Sequence, residues 1–325
     1  MRSPAPTRRG LLLGGSTLGV GLLAGCVSSP TVRGGSAAVS SAPSAPPDPA
    51  LVQARDDEQR LVTLLAAALA APTAPRSPAQ TAALKQLQGA HVAHLALLGH
   101  DEPLQPGGAP SPQPAATPAP DASDWKTLSG KLAALEMSAQ QHHRQAALAA
   151  ADDPTCLLYA SLSAFAGLNA TPGRPVVAGG SVPSGVEVGS RADALGVLLS
   201  RWRALAEGLE IGIGQLPDKD PALAPGRQRL VAVWAERDRT AALLRQARQD
   251  VAPAELNYQM PGTFTSPAEI GKTWTALEAA VYAAWARLAA ASTGAERATA
   301  LDAMAAQAAR AYPAGSPVPY WPGWV

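Results

Sequence analysis

The residues in this 325-residue chain that could do chemistry are few, and most of them lie in its first half. His91-Val92-Ala93-His94 places two imidazoles three residues apart, which on a helix is a single face. Glu58 lies upstream of that pair and Glu136 downstream, with His142-His143 just beyond Glu136. Adjacent helical residues point about 100° apart, so only one of those two histidines can turn inward. Imidazoles and carboxylates gathered in an apolar interior are a donor set for a divalent transition metal. A plainer reading stands beside it: Glu58 belongs to the charged run Arg55 to Arg60 and is solvated, while His91 and His94 cover a helix face. Nucleophilic catalysis has little support. The chain has no Gly-x-Ser-x-Gly elbow, no strand-to-helix phosphate loop and no Cys-x-x-Cys pair, so no catalytic residue is assigned.

These side chains can meet only if helices position them. Aromatic residues make up 4% of the chain and alanine-rich runs recur, which argues against aromatic, β-branched strands and for helices. The spacing predicts eight, over about 49–71, 78–99, 125–151, 153–169, 191–216, 222–250, 267–291 and 295–312. In the first, Leu51, Val52, Leu61, Leu64, Leu65 and Leu69 form the apolar face, and Arg55, Asp56, Asp57 and Arg60 the wet one. Ser77-Pro78-Ala79-Gln80 and Ser266-Pro267-Ala268-Glu269 mark two helix starts with a capping serine and a proline at the first helical position. The expected fold is all-α, two antiparallel four-helix bundles, at 50–170 and 191–325, joined by a linker at 171–190. Trp202, Trp234, Trp274 and Trp285 are spaced to fill the second core. The C-terminal Tyr320-Trp321-Pro322-Gly323-Trp324 is expected to fold back on the second bundle.

The N-terminus carries an address. Arg8-Arg9, a short apolar stretch to Ala24 and small residues make an export signal over 1–25. Leu23-Ala24-Gly25-Cys26 resembles the lipobox of bacterial lipoproteins, which implies lipidation of Cys26 and a flexible tether over 26–49. Thr7-Arg8-Arg9-Gly10-Leu11-Leu12 also resembles the twin-arginine signal, which exports folded proteins. Removing Arg2, Arg8 and Arg9 with the signal leaves 23 Lys+Arg against 25 Asp+Glu, so no basic footprint for nucleic acid remains. With Cys26 lipidated, Cys156 has no disulfide partner and reads as a buried structural thiol.

From Arg201 onward the chain resembles the ferritin-like domain of actinobacterial lipoproteins, a family without an assigned activity. The resemblance rests on Ala206-Glu207, Ala235-Glu236-Arg237-Asp238-Arg239, Leu277-Glu278-Ala279-Ala280-Val281-Tyr282 and the aromatic-Pro-Gly ending. Residues 51–169 are similar, more loosely, to the N-terminal half of the same lipoproteins. A ferritin-like di-metal site takes carboxylates from facing helices and a Glu-x-x-His on each of two. Against that pattern the first bundle offers Glu58, His91, His94, Glu136 and His143. Its fourth helix offers only Ser163-Ala164-Phe165-Ala166-Gly167-Leu168, so a single-metal site is the most that survives. In the second bundle Glu207, Glu236 and Glu278 echo ferritin carboxylates, but no histidine follows His143 and Arg239 stands where one would ligate. Glu207, Glu236 and Glu278 are expected to form a polar core network with Arg239 or Arg203.

The reading that results is a lipid-anchored protein at the extracytoplasmic face of the cell membrane. It acts as a non-enzymatic binding or scaffold module with a degraded ferritin-like metal site, and no cofactor is expected. The alternative is a protein that binds or oxidises iron or manganese in the N-terminal bundle. Its only assigned partner is the membrane, through the anchor.

Overall fold

Eight α-helices form among the described residues: α1 (Pro49–Ala70), α2 (Pro78–Leu98), α3 (Trp125–Ala149), α4 (Asp153–Asn169), α5 (Arg191–Gln215), α6 (Leu223–Gln246), α7 (Pro267–Ala290) and α8 (Gly294–Ala311). The computed structural model describes residues 48–70, 77–105, 125–170, 179–180, 183, 186–313 and 315–324. The export signal, Cys26 and all but the last two residues of the tether lie outside them, as does much of the linker. No described helix is long and apolar enough to cross a membrane.

Local chemistry sets the helix ends. Ser77 accepts from the Gln80 backbone N–H while the Gln80 side chain accepts from the Ser77 N–H, a reciprocal cap of a kind worth about 1 kcal/mol. Ser266 caps α7 through the Glu269 N–H, and Asp152 caps α4 through that of Thr155. Helix α6 ends at Gln246, short of the expected Asp250, because Arg248 takes a left-handed conformation (φ 55°). Gln249 N–H then closes back on the Leu244 carbonyl, a turn that stops helices.

Helix α1 packs against α2 and α3, and α3 against α4; the order recurs with α5 against α6 and α7, and α7 against α8. Neighbours run antiparallel. Leu65 of α1 meets Leu84 and Leu87 of α2, while Leu64 and Ala68 meet Leu128 of α3 and Leu61 meets Ala139. In the second half Trp274 of α7 donates from Nε1 to the Gly208 carbonyl of α5. Residues 47–325 form one compact unit, with a core drawn from both halves. Helix α4 lies against α7 and α8, where the buried Cys156 thiol meets the Ala289 carbonyl at 3.6 Å. The Arg297 guanidinium of α8 is also buried and donates to the Ala147 and Ala150 carbonyls at the end of α3 (3.3 and 2.6 Å), closing groups that a helix end leaves open.

Three sequence expectations need correction. Arg55 and Asp57, assigned to a wet face, are buried, while Val52, assigned to the apolar face, is 46% exposed: Arg55 donates to the carbonyls of Leu98, the last residue of α2, and of His100 beyond it, and Asp57 accepts from Gln53 and pairs with His142. Trp234 is 38% exposed and reaches Glu210, so it is not core, whereas Trp202 is buried. The aromatic tail bridges the two halves instead of lying on the second alone. Val318 joins Leu65, Leu87 and Phe165 of the first half, and Gly323 (φ 82°) turns against Tyr282, Ala286 and Met304 of the second.

Two outcomes test this packing. A Cβ at Gly212 would lie 2.7 Å from the Trp274 ring, which its bond to Gly208 holds in place, so Gly212→Ala should cost about 1–3 kcal/mol in denaturant unfolding. An unchanged midpoint would contradict the close approach of α5 and α7. Burial, only partly offset by Arg297, raises the Cys156 thiol to about 11. In a Cys26→Ser chain no thiol should therefore react with a disulfide reagent at pH 8 until denaturant is added; prompt reaction of the native protein would show the packing to be wrong.

Candidate metal centre

The predicted N-terminal ligands converge. Glu58 from α1, His91 and His94 from α2, and Glu136 and His143 from α3 all turn into the core, Glu58 2% exposed and the other four 0%. His91 stands between the carboxylates, with Nδ1 2.7 Å from Glu58 Oε2 and Nε2 3.0 Å from Glu136 Oε1. His94 Nδ1 lies 3.3 Å from the same Glu58 oxygen, and His143 Nε2 lies 3.5 Å from Glu58 Oε1. Of the adjacent histidines, His143 faces in and His142 faces out to Asp57. Helix α4 brings no ligand. Phe165 sits edge-on to both α2 imidazoles, with ring centroids 5.4 Å from His91 and 4.7 Å from His94.

The electrostatics follow from this geometry. For His91, burial favours the neutral ring, but the Glu136 and Glu58 charges outweigh it and raise its pKa to about 10. Burial would likewise lift the Glu58 carboxyl, yet His94 and His91 together hold it well below the usual range. Glu136 is raised, because burial exceeds what His91 returns. The cluster thus favours charge on His91 between two acids that it affects unequally, Glu58 lowered and Glu136 raised.

Several donor atoms have nothing to bond. His94 Nδ1, both ring nitrogens of His143 and Glu136 Oε2 are buried without a hydrogen-bond partner. A buried polar atom left open costs about 1–3 kcal/mol. His94 Nε2 lies 2.8 Å from the Tyr320 carbonyl; a carbonyl can only accept, so this nitrogen carries the proton. The ring's other nitrogen, Nδ1, faces Glu58 Oε2 at 3.3 Å, where a shared cation, proton or metal ion, would join the two. One donor atom each from Glu58, His91 and His94 falls within 4.8 Å of the others. Bonds of about 2.1 Å put ligands of one ion at most about 4.2 Å apart, so side-chain shifts of a few tenths of an ångström would bring all three into bonding range.

The second half is built differently, and its expected polar network divides. Glu278 takes a two-pronged pair from Arg229 of α6 (2.7 and 2.8 Å) and a further bond from Gln307 of α8. Arg239, its expected partner, is 67% exposed and holds Glu236 on the surface of the same helix. Among the described residues Glu207 accepts from the Tyr258 N–H at 3.5 Å, and Arg203 donates to the Ala252 and Pro253 carbonyls. Sequence reasoning missed Arg229. The signal available was its position in α6, whose inward face follows Gly226, Leu230 and Val233. Arg229 also stacks over Trp202, 5.5 Å from the ring centre.

Residues 219–324 match the model of a domain of unknown function, DUF4439. Nothing among curated proteins or solved structures matches the chain. The matched stretch covers α6 to α8 and the tail, so all five N-terminal ligand candidates lie outside it.

Breaking the second-half pair should be costly. Glu278→Gln leaves the largely buried Arg229 without its counter-charge and should lower unfolding free energy by about 3 kcal/mol. Adding Arg229→Met should recover much of that loss. Equal stability of Glu278→Gln and the parent would show that the pair carries no structural weight.

Proposed function

We propose that this chain is a lipid-anchored, extracytoplasmic protein whose N-terminal half is a ferritin-like four-helix bundle holding one divalent transition-metal ion. Iron or manganese fits the mixed imidazole and carboxylate donors, and zinc also suits them. Glu58, His91 and His94 are the first ligands, with Glu136 and His143 placed to complete the shell. The observation that carries this reading is the convergence of donor atoms from Glu58, His91 and His94 within 4.8 Å of one another, in a core where His94 Nδ1, the His143 ring nitrogens and Glu136 Oε2 make no hydrogen bond. A bound ion would take the place of the His91 proton that faces Glu58, that proton leaving to solvent. The ferritin-like architecture draws support from the repeated antiparallel pairing order, and the membrane anchor from the lipobox-like Leu23-Ala24-Gly25-Cys26.

A second reading rests on the bridge from Glu58 through His91 to Glu136. Those bonds give both acids a partner without metal, as in a structural network inside a non-enzymatic scaffold module. Metal analysis separates the two. Purified protein equilibrated with Fe(II) or Mn(II) without oxygen, then dialysed, should retain one ion per chain. Glu58→Gln or His94→Ala, still folded by circular dichroism, should lose at least tenfold in affinity. Retention no greater than in the Glu58→Gln, His94→Ala double variant would leave the scaffold reading standing.

A further inference from the structure

The metal centre and the matched domain meet at one place, the C-terminal tail. From it we infer that the tail is a working part of the centre: the Tyr320 carbonyl fixes His94 as an Nδ1 ligand, and Trp321 closes the way by which a bound ion exchanges. This rests on the metal reading above. His94 Nε2 lies 2.8 Å from the Tyr320 carbonyl, and a ring whose outer nitrogen is tied to a carbonyl offers the other nitrogen, correctly aimed, to a metal. The Trp321 ring covers the His94 imidazole at 4.6 Å between centroids and is itself buried.

The tail is held on both sides of this contact. Val318, fully buried, seats among Leu65, Leu87 and Phe165. Tyr320 lays its hydroxyl over α2 at Gly89, where a Cβ would come within 3.1 Å of it. Gly323 makes its left-handed turn against Tyr282, Ala286 and Met304, a conformation that glycine adopts without cost. Around the ligands stand α1, α2, α3 and Phe165 of α4, all packed helix on helix. Among the described residues the tail is a non-helical element that touches them, and lifting a short strap disturbs far fewer contacts than parting helices. Tyr320 and Trp321 are positioning residues: they act on His94, not on the ion.

The test uses the whole chain, its Trp321→Ala variant and a chain ending at Pro319. In the metal-free whole chain, nitrogen-15 NMR should show neutral His94 protonated at Nε2, and the chain ending at Pro319 should lose that preference. A whole chain with the His94 proton on Nδ1 would overturn the proposal. With Co(II) as probe, all three proteins should bind one equivalent, and release to excess EDTA should be at least tenfold faster from both altered chains. Equal release rates would refute the closing role of Trp321. Should the shortened chain not fold, Trp321→Ala and the tautomer of the whole chain still decide. A whole chain that takes up no Co(II) refutes the metal reading itself, whereas the tautomer measurement needs no metal and judges the tail separately.

Discussion

Two carboxylates and three imidazoles sealed from water in an alanine-and-leucine interior form the constraint on which the first half depends. A carboxylate in such a place is tolerable only beside positive charge and hydrogen-bond donors. His91 supplies both, holding Glu58 on one side and Glu136 on the other. That requirement fixes the register of α1, α2 and α3 more narrowly than apolar packing could. Sliding one helix by a turn, about 5.4 Å, would strand an acid in the core, while one leucine slot would merely exchange for another. His94 Nδ1, the His143 ring nitrogens and Glu136 Oε2 remain without a hydrogen bond beside it.

The two halves repeat one pairing order and fill it differently. Glu136 is the twelfth residue of α3, as Glu278 is of α7. In the first half the charge facing that glutamate comes from an imidazole, with further bare donors around it. In the second it is a guanidinium fixed in the chain, Arg229, forked onto Glu278 and stacked over Trp202. Arginine stays charged and presents two parallel donors, so this acid is satisfied without any ion. The second half is thus neutralised by its own side chains, whereas the first leaves buried donor atoms without a hydrogen bond. Its contribution to the centre is the tail, which carries Tyr320 and Trp321 across to His94.

Much of this could be read from the residues alone. Prolines and capping serines gave helix ends within one or two positions for most elements, because Ser77 and Ser266 act locally and need no tertiary partner. His91 and His94 were legible as one face for the same reason. The burial of Arg55 and Asp57 was not. Their run is almost wholly charged, and it is partners such as the Leu98 and His100 carbonyls and the imidazole of His142, distant in sequence, that make burial tolerable. Arg229 escaped notice because a long guanidinium reaches across to α7, and spacing along α6 does not disclose what it meets. The tail has no periodicity that could say which half it covers; Gly89, small enough to admit the Tyr320 hydroxyl, is its one trace elsewhere in the sequence.

The central claim is that a cation belongs among Glu58, His91 and His94. Diffraction from crystals grown with Mn(II) or Fe(II), recorded on both sides of the metal's absorption edge, tests it most directly. The account predicts one anomalous peak inside the first half, within about 2.3 Å of a Glu58 oxygen and His94 Nδ1, with the tail still seated on His94. A core holding only ordered water between Glu58 and His94, in crystals whose metal lies elsewhere, would contradict it.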